Sequence, residues 1–323
     1  MKNNYISNLN NVHKVIVIGA GCAGLSSAIY LARANLKPLL FAGSLEYKGG
    51  LLTKTSIVEN YPGFSDGIMG FDLIKNMEDQ ALKYGTQVID ENVKQIKKLN
   101  HSANIFLVTD TNNKEYYTHT IVIATGSTPN KLGLADEDRF WANGISSCAV
   151  CDGALYRNKK IIVVGGGDSA TEHALFLTKF SNVTLIHRRD TLRASSIMQD
   201  KVLNNDKIKL IFNTVITKLN GGDKLQSISC RNSITNDDFE LEVDGLFYGL
   251  GLTPNSELFK DIIELDDEGY VIKYNADDTT TSVSGIFVAG DVSDKKYRQA
   301  IVACGEGCKA ALDVNEYLVN NNI

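Results

Sequence analysis

The sequence predicts an α/β protein made of two Rossmann-like nucleotide-binding domains, three-layer units of ββα type, with one domain inserted into the other. Three observations carry that prediction. The apolar, β-branched run Lys14–Ile18 ends in the glycine turn Gly19-Ala20-Gly21-Cys22-Ala23-Gly24. The same pattern returns 146 residues later, where KIIVV leads into Gly165-Gly166-Gly167-Asp168-Ser169-Ala170. Between the two lies a Cys-x-x-Cys pair, Cys148-Ala149-Val150-Cys151-Asp152-Gly153. Strand, glycine turn and helix in that order form a dinucleotide fingerprint, and its repeat at domain spacing marks two such units in one chain.

Each element follows from its residues. Lys14–Gly19 reads as a buried strand, Cys22–Ala34 as the helix after it and Pro38–Phe41 as the next strand. Lys160–Gly165, Asp168–Lys179 and Val183–His187 repeat that order. Tyr116–Gly126 and Gly285–Asp291 read as further buried strands. Lys209–Cys230 reads as alternating strands about an Asn220-Gly221-Gly222-Asp223 turn, and Thr280–Ser284 as a loop. Gln299–Val319 reads as a long helix with weak points at Gly305 and Gly307. Two glycine-bearing segments, Thr125–Leu132 and Val243–Asn255, each contain Thr-Pro-Asn and read as crossings between domains. The expected division is a flexible tail over 1–13, a discontinuous first domain over 14–129 and 245–323, and an inserted second domain over 130–244.

Composition narrows the function classes. A length of 323 residues suits two domains, and 43% hydrophobic with 22% charged residues is ordinary for a globular chain. A net charge of -5 argues against a nucleic-acid partner. The polar, Asn-rich start has neither the apolar run of a signal peptide nor the arginines of a mitochondrial presequence. Val15–Ala32 carries no charge, but Gly19, Gly21, Gly24, Ser26 and Ser27 interrupt it, so no membrane span is expected. Six cysteines without a secretory signal indicate a reducing, cytoplasmic setting.

The motifs assign chemistry. In the first fingerprint Gly19 permits the tight turn, Gly21 lets backbone approach a pyrophosphate, and Gly24 allows close helix packing; the helix N-terminus favours phosphate. In the second fingerprint, Gly165 and Gly167 take the same parts. About twenty residues on come His187-Arg188-Arg189 and then Arg193, guanidinium groups suited to the 2′-phosphate of NADPH. The first site lacks such arginines and is free for FAD. Gly290-Asp291 ends a buried strand, and Asp291 is suited to a ribityl hydroxyl of FAD. The helix starting near Arg298-Gln299-Ala300 can face the flavin pyrimidine. Cys148 and Cys151 have three readings: half of a zinc site with Cys304 and Cys308, a structural thiol pair, or a redox pair. Two nucleotide sites need an electron acceptor, which favours the redox reading and no metal. Asp152 beside the pair can shuttle a proton. Cys22, Cys230, Cys304 and Cys308 read as buried fillers.

With these residues assembled, the chain resembles the low-molecular-weight thioredoxin reductases from about Lys14 to Leu318. The likeness rests on GAGCAG, the Gly49-Gly50 pair, VENYPGF over Val58–Phe64, IATG, SSCAVCDG, GGGDSA, HRRDTLRA and GIFVAGDVSDKKYRQAIVACGEGC. It implies a homodimer whose FAD domain is split by an NADPH domain bearing the active-site cysteines, with a swivel between the two. It implies FAD contacts at Gly19, Gly21, Gly24, Gly50, Asn60, Cys151, Gly290, Asp291, Arg298, Gln299 and Ala300. NADPH contacts are implied at Gly165, Gly167, Ser169, His187, Arg188, Arg189 and Arg193. Two positions depart from the family pattern: Cys22 stands where Pro is usual, and Leu51 where Gln usually follows the paired glycines.

The expected activity is disulphide reduction: hydride passes from NADPH to FAD, then electrons to the Cys148–Cys151 disulphide, then dithiol exchange follows with thioredoxin. Cys151 is expected to lie nearer the flavin and to attack the partner, with Cys148 resolving. The rival readings are a same-fold flavin enzyme with another acceptor, such as a dithiol oxidase, and a non-enzymatic flavin redox sensor.

Overall fold

A computed structural model describes residues 12–44, 48–99, 105–275 and 277–323. In chain order, β1 (Val12–Ile18) leads through the first glycine turn into α1 (Cys22–Arg33) and β2 (Leu39–Phe41). There follow α2 (Gly70–Lys83), β3 (Gln87–Ile89), β4 (Val93–Leu99), β5 (Ile105–Asp110) and β6 (Glu115–Ile123). After β7 (Ser127–Pro129) come β8 (Ile145–Ser146), the short α3 (Ala149–Asp152), β9 (Ile161–Gly165), α4 (Asp168–Leu177) and β10 (Val183–Ile186). Next are α5 (Ser196–Leu203), β11 (Ile208–Ile211), β12 (Thr214–Gly221), β13 (Leu225–Asn232), β14 (Asp238–Glu242) and β15 (Gly245–Gly249). The chain closes with β16 (Leu252–Pro254), β17 (Ile286–Val288) and α6 (Ala300–Asn320).

Two compact units result. One comprises the residues through Ile57, Tyr61–Thr128 and Thr253–Ile323; the other comprises Val58–Asn60 and Pro129–Leu252. The crossings β7 and β16 pair with each other.

The first unit is built on a seven-stranded sheet in the order β3-β2-β1-β6-β5-β4, with β17 also pairing β6. β1, β2, β3, β6 and β17 pair in parallel, and β4-β5-β6 form an antiparallel meander. Alternate side chains of β1 enter different cores, because successive strand residues face opposite ways. Val15 and Val17 pack with Leu25 and Leu31 of α1 and Val314 of α6. Ile16 and Ile18 pack with Phe106, Val108 and Phe259.

The second unit repeats the plan. Five parallel strands, β8-β15-β9-β10-β11, lie between α4 and α5 on one face and the β12-β13-β14 meander on the other. Ile161 and Val163 pack with Ala174 and Leu177 of α4, whereas Ile162 and Val164 pack with Ile216 and Ile228 of the meander. Helices, parallel sheet and antiparallel layer make the ββα stack the sequence predicts.

Four expectations need correction. The tail was bounded at residue 13, but β1 starts at Val12 and His13 pairs with Thr118; the rest of the tail lies outside the described residues. The return to the first domain was placed at 245. Gly245–Gly249, however, is β15, paired with β9 from Ile161↔Gly245 to Gly165↔Gly249, so the unit boundary falls at Leu252. The 209–230 stretch is not all hairpin: Ile208–Ile211 is a parallel edge strand on β10, and the hairpin is β12-β13. Gly307 does not weaken α6. A Cβ there would lie 2.1 Å from the Ala23 carbonyl oxygen, so the glycine lets α6 close onto α1.

Candidate functional site

The first fingerprint is shaped by backbone that only glycine tolerates. Gly19 has φ 109°, and a Cβ there would stand 2.3 Å from the Ala124 carbonyl oxygen. A Cβ on Gly24 would stand 1.8 Å from the Gly19 carbonyl oxygen. Gly21, the N-cap of α1, has no side-chain cap, which leaves the first-turn N–H groups for a ligand. A Cβ on Gly50, at φ 67°, would stand 3.9 Å from the Gly21 Cα.

β17 and α6 deliver the remaining residues of this unit to the same helix. Gly290, at φ 82°, sits against Ala23 and donates its N–H to Glu306 Oε2 at 2.6 Å. Asp291 follows; burial lifts its carboxyl to about 6, with Asp294 adding to the rise and Arg298 opposing it. Asp294 accepts the N–H groups of Lys296, Tyr297 and Arg298, and so builds the turn that puts Gln299 and Ala300 at the start of α6. Arg298 takes φ 50° in that turn, and its Nε is buried without a hydrogen-bond partner. The uncapped α1 start and this buried donor fit an anionic, acceptor-rich group such as FAD. Asn60 is exposed and groups with the second unit.

In the second unit the loop after β10 folds back onto the glycine turn. Arg193 N–H donates to the Gly166 carbonyl at 2.6 Å and Ala194 N–H to the same oxygen at 3.1 Å. Ser195 donates through both N–H and Oγ to Asp168 Oδ1. Arg188, Arg189 and Arg193 are thereby held exposed beside the fingerprint. Gly167 caps α4 with open space where a Cβ would go, and Ser169 lies in the first turn of that helix. The exposed arginines and this cradle fit the phosphates of NADPH. His187 is different in kind. It is buried, and a Cβ on Gly166 would fall 2.2 Å from its ring. Burial first, then Arg193 and Arg189, lower its pKa, so the ring packs neutral beneath the turn.

Cys148 and Cys151 are joined as a disulphide across α3. Ser146, the first residue of the SSCAVCDG stretch, to which the sequence assigns no role, organises the surroundings. It accepts the Cys148 N–H at 3.0 Å and donates to Asp152 Oδ2 at 2.6 Å. Burial raises the Asp152 carboxyl above its usual range, partly offset by the Ser146 bond. Cys151 N–H donates to Cys148 Sγ at 3.1 Å. Gly153 closes α3 against Leu177 and Phe180, while Val150 between the cysteines is exposed. The zinc reading falls: Cys148 and Cys151 are bonded to each other, and no group of three or more metal-ligating side chains occurs among the described residues.

A disulphide and a dinucleotide turn in one unit, with a second dinucleotide turn in the other, match the pattern of the pyridine nucleotide-disulphide oxidoreductases over residues 13–307. The chain belongs to that family. Within this family of oxidoreductases it is 47% identical to thioredoxin reductase of Neurospora crassa, over 94% of this chain and 93% of that one. It is 44% identical to thioredoxin reductase of Streptomyces clavuligerus, over 96% and 95%. The solved structure of thioredoxin reductase from Streptococcus pyogenes superposes with a TM-score of 0.90 at 36% identity, over 96% of this chain and 99% of that one. No helix among the described residues is long and apolar enough to cross a membrane.

Proposed function

We propose that the chain is an NADPH-dependent thioredoxin-disulphide reductase that holds FAD in its first unit and NADPH in its second. The observation that carries this is the Cys148–Cys151 disulphide, bonded within a unit that also carries an arginine-flanked dinucleotide turn. Gly19, Gly21, Gly24, Gly50, Asp291 and the start of α6 would hold FAD; Gly167, Ser169, Arg188, Arg189 and Arg193 would hold NADPH. These two cofactors supply the hydride and a relay for two electrons.

The chain's own residues do the rest. As the S–S bond breaks, Cys148 Sγ leaves as a thiolate already accepting the Cys151 N–H, which favours its negative charge. Asp152, whose carboxyl burial pushes up, is placed to give it a proton. Cys151, the attacking thiol in this reading, exchanges with the disulphide of thioredoxin, and Cys148 resolves the mixed disulphide. Net, one NADPH and one proton become NADP⁺ while one partner disulphide becomes a dithiol. The likeness to thioredoxin reductases supports thioredoxin as the partner and a homodimer as the working form. The four free cysteines beside the active pair support a reducing, cytoplasmic setting.

The test is NADPH consumption with thioredoxin, recorded beside a visible spectrum. A yellow protein that oxidises NADPH only when thioredoxin is supplied supports the proposal. A flavin protein that binds thioredoxin without turnover would make it a sensor instead.

A further inference from the structure

We infer that Cys22 and Cys304 form a second redox site, which a hydroperoxide converts from dithiol to an intramolecular disulphide bridging α1 and α6. The pair lies wholly within the first unit and takes no part in the reaction above. Both are free thiols. Cys304 Sγ donates to the Cys22 carbonyl oxygen at 3.8 Å, and each thiol's pKa is shifted first by the other. The backbones are held at that separation independently: Ser26 Oγ donates to the Cys304 carbonyl at 2.7 Å, and Gly307 seats on Ala23. Tyr61 OH donates to Cys304 Sγ at 3.3 Å.

This cluster distinguishes its two sulfurs. Bonds from Cys22 and Tyr61 hold the Cys304 thiol below its usual range, although burial opposes them. The bond to Cys304, together with burial, holds Cys22 well above that range. The hydrogen bond that Tyr61 OH donates to Cys304 Sγ favours a thiolate there, which makes Cys304 the nucleophile of the proposal and Cys22 the resolving thiol. Both residues are buried, so only a reagent as small as hydrogen peroxide is expected to reach them.

The step balances. Cys304 thiolate attacks one peroxide oxygen, the O–O bond breaks, and hydroxide leaves and takes a proton to give water and a sulphenic acid. Cys22 sulfur then attacks that sulphenic sulfur, and a second water departs as the S–S bond forms. Peroxide is reduced by two electrons and the two thiols are oxidised by two.

The flavin-loaded protein, fully reduced and freed of reductant, would be treated with one to a few equivalents of hydrogen peroxide, alkylated, denatured and digested. Trypsin with a protease that cuts after Glu306 separates Cys304 from Cys308. The expected product is a Cys22 peptide linked to a Cys304 peptide and released by dithiothreitol. Of six thiols, two should survive oxidation in the wild type; Cys22→Ala starts with five, and its Cys304, left without a resolving thiol, should stop as sulphenic or sulphinic acid and again leave two, with no peptide linked to Cys304. Four surviving thiols in the wild type would overturn the inference. So would a Cys304–Cys308 link, or Cys304 oxidised to sulphinate with Cys22 still alkylated. The wild-type peptide map needs no variant to fold and no turnover, so it stands or falls separately from thioredoxin reduction.

Discussion

Ser146 Oγ donates to Asp152 Oδ2 at 2.6 Å while accepting the Cys148 N–H, so a single hydroxyl ties the proton carrier to the disulphide. The bond favours the carboxylate and burial opposes it. Ser146→Ala removes the lowering influence. The pH above which thioredoxin reduction declines as Asp152 ionises should move upward, and Asp152→Asn should cut turnover by about 10²-fold or more. A pH–rate profile unmoved in Ser146→Ala would show that the two groups are not coupled.

Cys151→Ser breaks the disulphide and leaves both nucleotide sites intact. Thioredoxin reduction should vanish, while NADPH oxidation by an artificial electron acceptor stays measurable. If both activities survive, electrons take another route.

Arg188 and Arg189 are exposed on a loop anchored to Gly166 and Asp168. Charge-assisted bonds to a phosphate are worth about 1.5–3 kcal/mol each. The double alanine variant should therefore raise KM for NADPH by about 10²-fold or more while leaving KM for NADH nearly unchanged. Equal losses with both nucleotides would mean that the loop does not read the 2′-phosphate.

Asp291 ties stability to pH. Folding raises its carboxyl from 3.8 to about 6, so the fold favours the protonated form. That stabilisation is complete below about pH 4 and disappears as pH rises through 6. Flavin-free Asp291→Asn, which cannot ionise, should match the wild type near pH 4. It should exceed it at pH 8 by up to about 3 kcal/mol. Denaturant melts across that range test this, and a constant difference between the two proteins would contradict it.

Gly305 and Gly307 separate propensity from packing. A Cβ on Gly305 meets nothing within 4 Å, so Gly305→Ala should stabilise by about 0.5–1 kcal/mol through helix propensity. Gly307→Ala drives a methyl into the Ala23 carbonyl and should cost about 1–3 kcal/mol, with loss of retained flavin. Thermal melts and the ratio of visible to ultraviolet absorbance read both effects.

These contrasts show what a sequence discloses. The two βαβ starts were legible because a glycine turn after a β-branched strand admits few alternatives, and β1, α1, β9 and α4 fall within a few residues of expectation. Gly307 was misread because the backbone it must admit belongs to Ala23, far away in the chain. Gly245–Gly249 was assigned across the boundary because an apolar strand beside a crossing does not announce which sheet it joins. Ser146 and Asp294 escaped notice because a lone hydroxyl or carboxylate acquires meaning only from the N–H groups and side chains folded around it. The pairing of Cys22 with Cys304 was hidden for the same reason: as letters they are two small residues on different helices.

The hydrogen bond from Ser26 to Cys304 joins residues 278 positions apart. Its consequence concerns the order of events at the ribosome. The second unit is almost one continuous stretch, Pro129–Leu252, and can close its core while later codons are still being read. The first unit cannot: Ala23 and Ser26 of α1 lack Gly307 and Cys304 as partners until residues 300–320 have emerged to meet them. The earlier-made glycine turn is thus the later one to mature, and a nascent chain stalled before that final helix would display a bare apolar surface to chaperones.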